Sequence, residues 1–177
     1  MSMQFANVWE RVADTVGDEI ALINGDKKSS WSSFDSKAAK IATILEEHGL
    51  KPDSKVGIYL HNSNEYLEAQ YGVFKIEGVP INVNYRYKEN ELIYLLDNAD
   101  AEAVFFQGCY ADRIKAIKDQ LPKIKVYIQV DDGTEPLMQG AIDFENSISS
   151  SKEQKRFNRT EENIYMLYTG GTTGMPK

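Results

Sequence analysis

Short apolar runs alternate with helical patterns from Ala21 to Val130, and this alternation is what most narrows the choice of fold. Val56 to Leu60 is apolar at nearly every position, as a strand is when both faces of its sheet are covered. Ala21 to Asn24 is a short strand candidate, Gly25-Asp26 its turn, and Ser29 to Trp31 the returning strand. Ser32, three residues before Asp35, offers a variant capping box, with Asp in the Glu/Gln position. Phe34, Ala38, Ile41 and Leu45 then place one apolar stripe on a helix, which Gly49 caps and Pro52 stops. The next unit repeats the grammar: Asn62-Ser63-Asn64 offers caps for a helix striped by Tyr66, Leu67, Tyr71 and Phe74 and closed by Gly78. Strands are predicted over Val79 to Val83, Ala103 to Phe106 and Val126 to Val130, and helices over Glu89 to Asn98 and Tyr110 to Leu121. A βαβα succession of this kind predicts an α/β fold with a largely parallel sheet flanked by helices.

After Asp131 the pattern weakens. Ile142 to Ile148 predicts a short helix, and Ser149 to Glu162 is polar with Phe157 as its only apolar residue. The basic residues Lys152, Lys155, Arg156 and Arg159 are interleaved with acids there, so a solvated surface linker is expected. Residues 1–162 are therefore expected to form a first α/β subdomain with a polar linker at 149–162. Residues 163–177 then supply a strand and a loop that start a second subdomain.

Composition excludes several function classes. With 20 Lys+Arg against 27 Asp+Glu the formal charge is −7, which argues against a broad nucleic-acid surface. The longest charge-free run, Asn163 to Pro176, is too short and too rich in Gly, Thr and Tyr to span a bilayer. The first residues carry no basic and apolar leader, and Cys109 has no disulfide partner, so a reducing cytoplasmic setting is expected. His61 and Cys109 have no ligand-spaced or base partners in sequence and are read as structural, as is His48, near a helix end where a cation suits the dipole; Tyr85-Arg86-Tyr87 could suggest base stacking, which the acidic balance argues against.

Ile164, Met166 and Tyr168 alternate with Tyr165, Leu167 and Thr169 in a strand-like run that enters Gly170-Gly171-Thr172-Thr173-Gly174-Met175-Pro176-Lys177. Glycines this close together let bare backbone approach a ligand, and successive N–H groups make a concavity for anions. The hydroxyls of Thr169, Thr172 and Thr173 add donors and Lys177 adds charge, which together suit a polyphosphate, the alternative being an ordinary flexible Gly/Thr loop. The spacing is not that of the NTPase P-loop: five residues after Gly170 stands Met175, five after Gly171 stands Pro176, and the lysine follows proline.

Tyr168 to Lys177 resembles the phosphate-binding signature of the adenylate-forming superfamily: acyl-CoA synthetases, firefly-type luciferases and peptide-synthetase adenylation domains. The resemblance extends over Trp31 to Gly49, Lys55 to Asn64 and Gly78 to Tyr87, with Glu91-Leu92 and Leu95-Leu96-Asp97 after them, and is nearest to bacterial fatty-acyl-CoA synthetases. Gly170 departs from it, standing where much of the superfamily has Ser, and Lys88 stands where a capping Ser or Thr is common.

The resemblance implies the first part of the large N-terminal domain of an enzyme far longer than this chain. It implies ATP, Mg²⁺ and coenzyme A as reactants and cofactor, and a carboxylic acid, of fatty type, as substrate. It also implies that Thr169, Gly170, Gly171, Thr172, Thr173, Gly174 and Lys177 hold the phosphates. Catalytic residues and the remaining nucleotide motifs are expected downstream, in a missing C-terminal portion, so the 177 residues alone are expected to be inactive. An α-carboxylate on Lys177 would compete with phosphate for its ammonium, so weak ATP binding is expected of the isolated chain. Its exposed sheet edge is expected to make it aggregate or be only marginally stable. The alternatives are a non-catalytic remnant or binding module of the same fold, and an adenylation domain loading a carrier-protein thiol.

Overall fold

The computed structural model describes residues 3–161 and 164–169. Helix α1 (Phe5–Val16) precedes the first predicted element, and its N-cap is the buried Gln4, whose side-chain oxygen accepts from the backbone N–H of Ala6 at 2.7 Å. Strands β1 (Ile20–Asn24) and β2 (Lys27–Ser30) form the expected antiparallel hairpin. Helix α2 (Trp31–Glu47) starts earlier than the capping-box reading places it. Its cap is Ser30, which accepts from Ser33 N at 3.2 Å, while Ser32 and Asp35 lie inside the helix. Trp31 accordingly opens α2 and does not end the returning strand. At the other end Gly49 adopts φ +77°, the left-handed conformation in which a Cβ is disfavoured.

The main sheet has six strands: β3 (Lys55–Tyr59), β4 (Val79–Asn82), β5 (Ala101–Gln107), β6 (Val126–Val130), β7 (Ala141–Asp143) and β8 (Met166–Leu167). Their order is β7-β6-β5-β3-β4-β8 and every neighbouring pair is parallel. Helices α3 (Asn64–Lys75), α4 (Glu89–Asn98), α5 (Ala111–Ile117) and α6 (Phe144–Ser150) connect or follow the strands. The helix predicted over Tyr110 to Leu121 is α5 with a 3₁₀ turn at each end. The segment predicted as a helix over Ile142 to Ile148 splits into β7 and α6, because Asp143 caps the backbone of Asn146.

Two cores follow from the strand order. From β3 the chain moves to β4 on one side, then crosses back to β5 and β6 on the other. Right-handed crossovers in opposite directions put their helices on opposite faces. Ile41 and Leu45 of α2, Ala69 and Val73 of α3 and Phe144 of α6 cover one face, against Val56, Ile58, Phe105 and Ile128. Leu92 and Leu96 of α4 and Ile114 of α5 cover the other, against Ile81, Val104 and Phe106. A third cluster joins α1 and the hairpin to α2 and α3 through Ala6, Leu22, Phe34 and Tyr71. At the α2–α3 contact Gly72 lies so close to Ile41 that a methyl group there would overlap it.

The stripe of α3 differs from the sequence pattern. Leu67 faces outward, 36% exposed, while Glu68 and Lys75 are buried. Each buried charge has a partner: Lys37 lies 3.2 Å from Glu68, and Lys75 contacts Glu10 at 2.7 Å and Asp35 at 2.8 Å. Burial raises the Asp35 carboxyl, but hydrogen bonds from Lys75 and Tyr71 outweigh it and hold the group below its ordinary value. For Glu68 burial wins over Lys37, and its carboxyl is raised.

The expectation of a solvated linker over 149–162 does not hold for Arg159, while Arg156 is exposed but ion-paired. Arg159 is buried, donating to Lys75 O at 2.9 Å, Asn7 Oδ1 at 2.8 Å and Glu10 Oε2 at 3.0 Å. Arg156 bridges Asp14 and Asp35, at 2.8 Å each. The segment straps α1 to α2 and α3, because a guanidinium fork can satisfy several acceptors that the helices leave inside.

Candidate functional site

All six strands are parallel, so their carboxyl ends share one edge of the sheet, where open α/β sheets bind ligands. Residues 61–63 leave β3 at this edge, 83–88 leave β4, 108–110 leave β5, and Thr169 leaves β8.

Between β3 and β5, where the strand order reverses, side chains close the crevice. His61 N donates to Gln107 Oε1 at 3.1 Å, and the Tyr110 hydroxyl lies 2.6 Å from His61 Nε2. The rings of Tyr59 and Tyr110 lie against each other, tilted by 32°, with centroids 4.3 Å apart. Burial, helped by Cys109 and Tyr59 beside it, pushes the Tyr110 hydroxyl up to about 12, so it remains a neutral phenol. Arg113 Nη1 donates to the Tyr59 hydroxyl at 2.8 Å and to Tyr87 O at 3.2 Å, and Tyr59 itself donates to Tyr87 O at 2.7 Å. These bonds fix the backbone after β4. Cys109 is exposed in the middle of the 3₁₀ turn Gly108–Tyr110, and desolvation and Asp132 raise its thiol.

Along β4 and β8 the edge is different. Ile81 pairs with Met166 and Asn82 with Leu167, and Thr169 follows exposed two residues on. From α3, the Tyr66 hydroxyl donates to Asn82 Oδ1 at 3.0 Å and lies 3.4 Å from the Tyr165 hydroxyl. From α4, Asn98 accepts the Tyr168 hydroxyl at 2.7 Å. A strand is therefore present before the glycine-rich stretch, shortened to Met166–Leu167 of the predicted run. Thr169 is the only candidate site residue that falls among the described residues. Gly170, Gly171, Thr172, Thr173, Gly174 and Lys177 lie outside them.

Sequence reasoning missed Tyr66, Asn82 and Asn98 as neighbours of this strand. The available signal was a pair of tyrosines at opposite parity, Tyr165 and Tyr168, which carry polar tips to both faces of a strand. Among the described residues no group of three His, Cys, Asp or Glu side chains could hold a metal ion. No helix among them is long and apolar enough to cross a membrane.

The family model described as AMP-binding enzyme matches residues 9–177. A 3-oxocholest-4-en-26-oate–CoA ligase of Rhodococcus rhodochrous is 38% identical over 180 aligned residues, which include 100% of this chain and 32% of that protein. The medium-chain acyl-CoA ligase Mig of Mycobacterium avium is 33% identical over 96% of the chain and 34% of its own length. The chain thus spans about a third of the curated relatives it matches. Among solved structures, an anthranilate–CoA ligase in complex with anthranoyl-AMP superposes with a TM-score of 0.88 at 21% identity, over 97% of this chain and 33% of that one. MbtA of Mycobacterium smegmatis gives 0.87 at 21% identity, over 100% and 33%. At such identities these superpositions establish the shared fold.

Proposed function

The chain belongs to the AMP-binding enzyme family, and from that premise we propose that it is the N-terminal part of an ATP-dependent acyl-CoA synthetase acting on carboxylic acids of fatty type. The observation that carries the reading is the placement of Thr169: β8 ends on the ligand-binding edge of a parallel sheet and runs straight into Gly170–Lys177. The CoA ligase activity printed for relatives that align with the whole chain supports it.

In the proposed reaction a substrate carboxylate oxygen attacks the α-phosphorus of ATP. The bond to the bridging oxygen breaks, pyrophosphate leaves with that electron pair, and an acyl adenylate remains. The thiol of coenzyme A, losing its proton, then attacks the acyl carbon and AMP departs. The first step concentrates negative charge, so its catalysis is mainly positioning and electrostatic stabilisation. Thr169, Gly170, Gly171, Thr172, Thr173 and Gly174 offer backbone and hydroxyl donors to the β- and γ-phosphates, and Lys177 offers charge. Mg²⁺ enters as the companion ion of ATP, with no ligand assigned to the described residues. Residues from 163 onward are read as the start of a second subdomain, and the setting as cytoplasmic.

The test uses the full-length protein and measures acid-dependent pyrophosphate release. Release with fatty acids, followed by formation of an acyl-CoA thioester, is expected. Lys177→Met is expected to raise KM for ATP by about tenfold or more, the worth of a charge-assisted hydrogen bond. Absence of release with every acid tried would overturn the synthetase reading in favour of a binding module. Thioester formation on a carrier protein but not on coenzyme A would replace the acceptor.

A further inference from the structure

Strand β8 is two residues long and pairs with β4 through two positions only, yet it must deliver the loop that follows. Backbone pairing on this scale is weak, and a slip of one residue would turn every side chain to the opposite face. Side chains from both layers hold it in place. On one face Tyr165 meets Tyr66 of α3, whose hydroxyl also bonds Asn82, the β4 residue paired with Leu167. On the other face Met166 and Tyr168 pack on the α4–α5 core, and the Tyr168 hydroxyl reaches Asn98, the last residue of α4. Burial, with the Tyr165 hydroxyl beside it, raises the Tyr66 hydroxyl far above its ordinary value, so it remains a donor at any working pH.

We propose that Tyr66 and Asn98 are positioning residues that clamp β8 from its two faces and so set the register at which Thr169 hands the chain to the ATP-binding loop. Each acts through a tyrosine of β8 or through its paired strand. The inference rests on the reading that residues 169–177 hold the phosphates of ATP.

The test compares wild-type full-length protein with Tyr66→Phe, Asn98→Ala, Tyr168→Phe and the double variant Asn98→Ala/Tyr168→Phe. Steady-state pyrophosphate release gives KM for ATP, acid and coenzyme A separately, and hydrogen exchange follows the amides of Met166–Thr169. Tyr66→Phe and Asn98→Ala are each expected to raise KM for ATP by about three- to tenfold, the loss of the hydroxyl's bonds to Asn82 and Tyr165 in the first and of the bond from Tyr168 in the second. KM for acid and coenzyme A should stay within about twofold, and exchange in β8 should quicken by a similar three- to tenfold factor while β3 and β5 stay protected. The double variant should be no worse than either of its singles, because both remove the same bond. A KM for ATP unchanged in every variant, a fall in kcat alone, or additive effects in the double variant would overturn the clamp. If the wild-type protein releases no pyrophosphate, the synthetase reading fails instead, and β8 exchange by itself decides whether Tyr66 and Asn98 hold the strand.

Discussion

Replacing Arg159 by methionine keeps most of the buried stem and removes the guanidinium from a cluster in which charges balance. Glu10, Asp14 and Asp35 face Lys75, Arg156 and Arg159, three acids against three bases. The Arg159 side chain is 0% exposed, Lys75 2% and Glu10 7%, so water cannot take over the lost contacts. The variant leaves Lys75 O and Asn7 Oδ1 without this donor and the cluster with one uncompensated negative charge. Breaking a buried pair costs about 3–5 kcal/mol, and the lower end applies here because Glu10 keeps Lys75 at 2.7 Å. A loss of about 3 kcal/mol corresponds to roughly a hundredfold rise in the opening equilibrium of the strap.

Native-state hydrogen exchange in the full-length protein reads this directly. The amides of α1 should exchange roughly a hundredfold faster, while the central strands β3 and β5 change far less. The effect should persist in about 1 M salt, where a Debye length of about 3 Å screens surface charges but not a buried cluster. Lys123→Ala serves as the contrast: Lys123 bridges Asp97 and Asp100 in full solvent, and its loss should leave exchange unchanged. A change below about threefold in α1, or one that disappears with salt, would refute the claim that Arg159 fastens α1 from inside.

Gly72→Ala should destabilise the chain by about 1–3 kcal/mol in denaturant titrations, because the new methyl overlaps Ile41 and this outweighs the roughly 1 kcal/mol gain in helix propensity. Lys88→Ser should raise thermal stability by about 0.5–1 kcal/mol, since Lys88 caps α4 with no side-chain acceptor while Glu91 already holds its backbone N–H at 2.9 Å. Glu68→Gln should leave stability equal to wild type or up to about 1 kcal/mol higher at neutral pH, because burial outweighs Lys37 and raises the folded-state carboxyl. The sign follows from that direction: the charged form is penalised above the folded pKa, and wild type regains the loss as pH falls through it toward the ordinary 4.5. The melting-temperature gap between Glu68→Gln and wild type should therefore narrow from pH 7 to pH 5.

Legibility in the sequence followed the range of the interactions. The run Val56 to Leu60 announced a strand covered on both faces, and β3 is the centre of the sheet with α3 below and α4 above. Glu89–Asn98 and Val126–Val130 appear with the predicted bounds, because their periods of 3.6 and 2 are local properties of the chain. The start of α2 was misplaced by two residues, since Ser30 and Ser32 are equally good caps and only the β1–β2 hairpin decides between them. Helix α1 carries a regular stripe through Ala6, Trp9 and Ala13, but Glu10 and Arg11 interrupt its apolar appearance, and Glu10 proves to be part of the buried cluster.

The sequence alone determined the α/β class, the parallel sheet and the approach of a strand to a glycine- and threonine-rich loop. All three rest on periodicity and on residue types within a few positions of one another. Tertiary structure decided which charges are interior and what holds β8. Arg159 looks like any other member of a polar stretch, and Glu68 and Lys75 look like the solvent side of a helix. Burial of a charge depends on a partner many residues away in sequence, such as Glu10 for both Lys75 and Arg159. Desolvation makes that pairing decisive in the fold, and no local pattern records it.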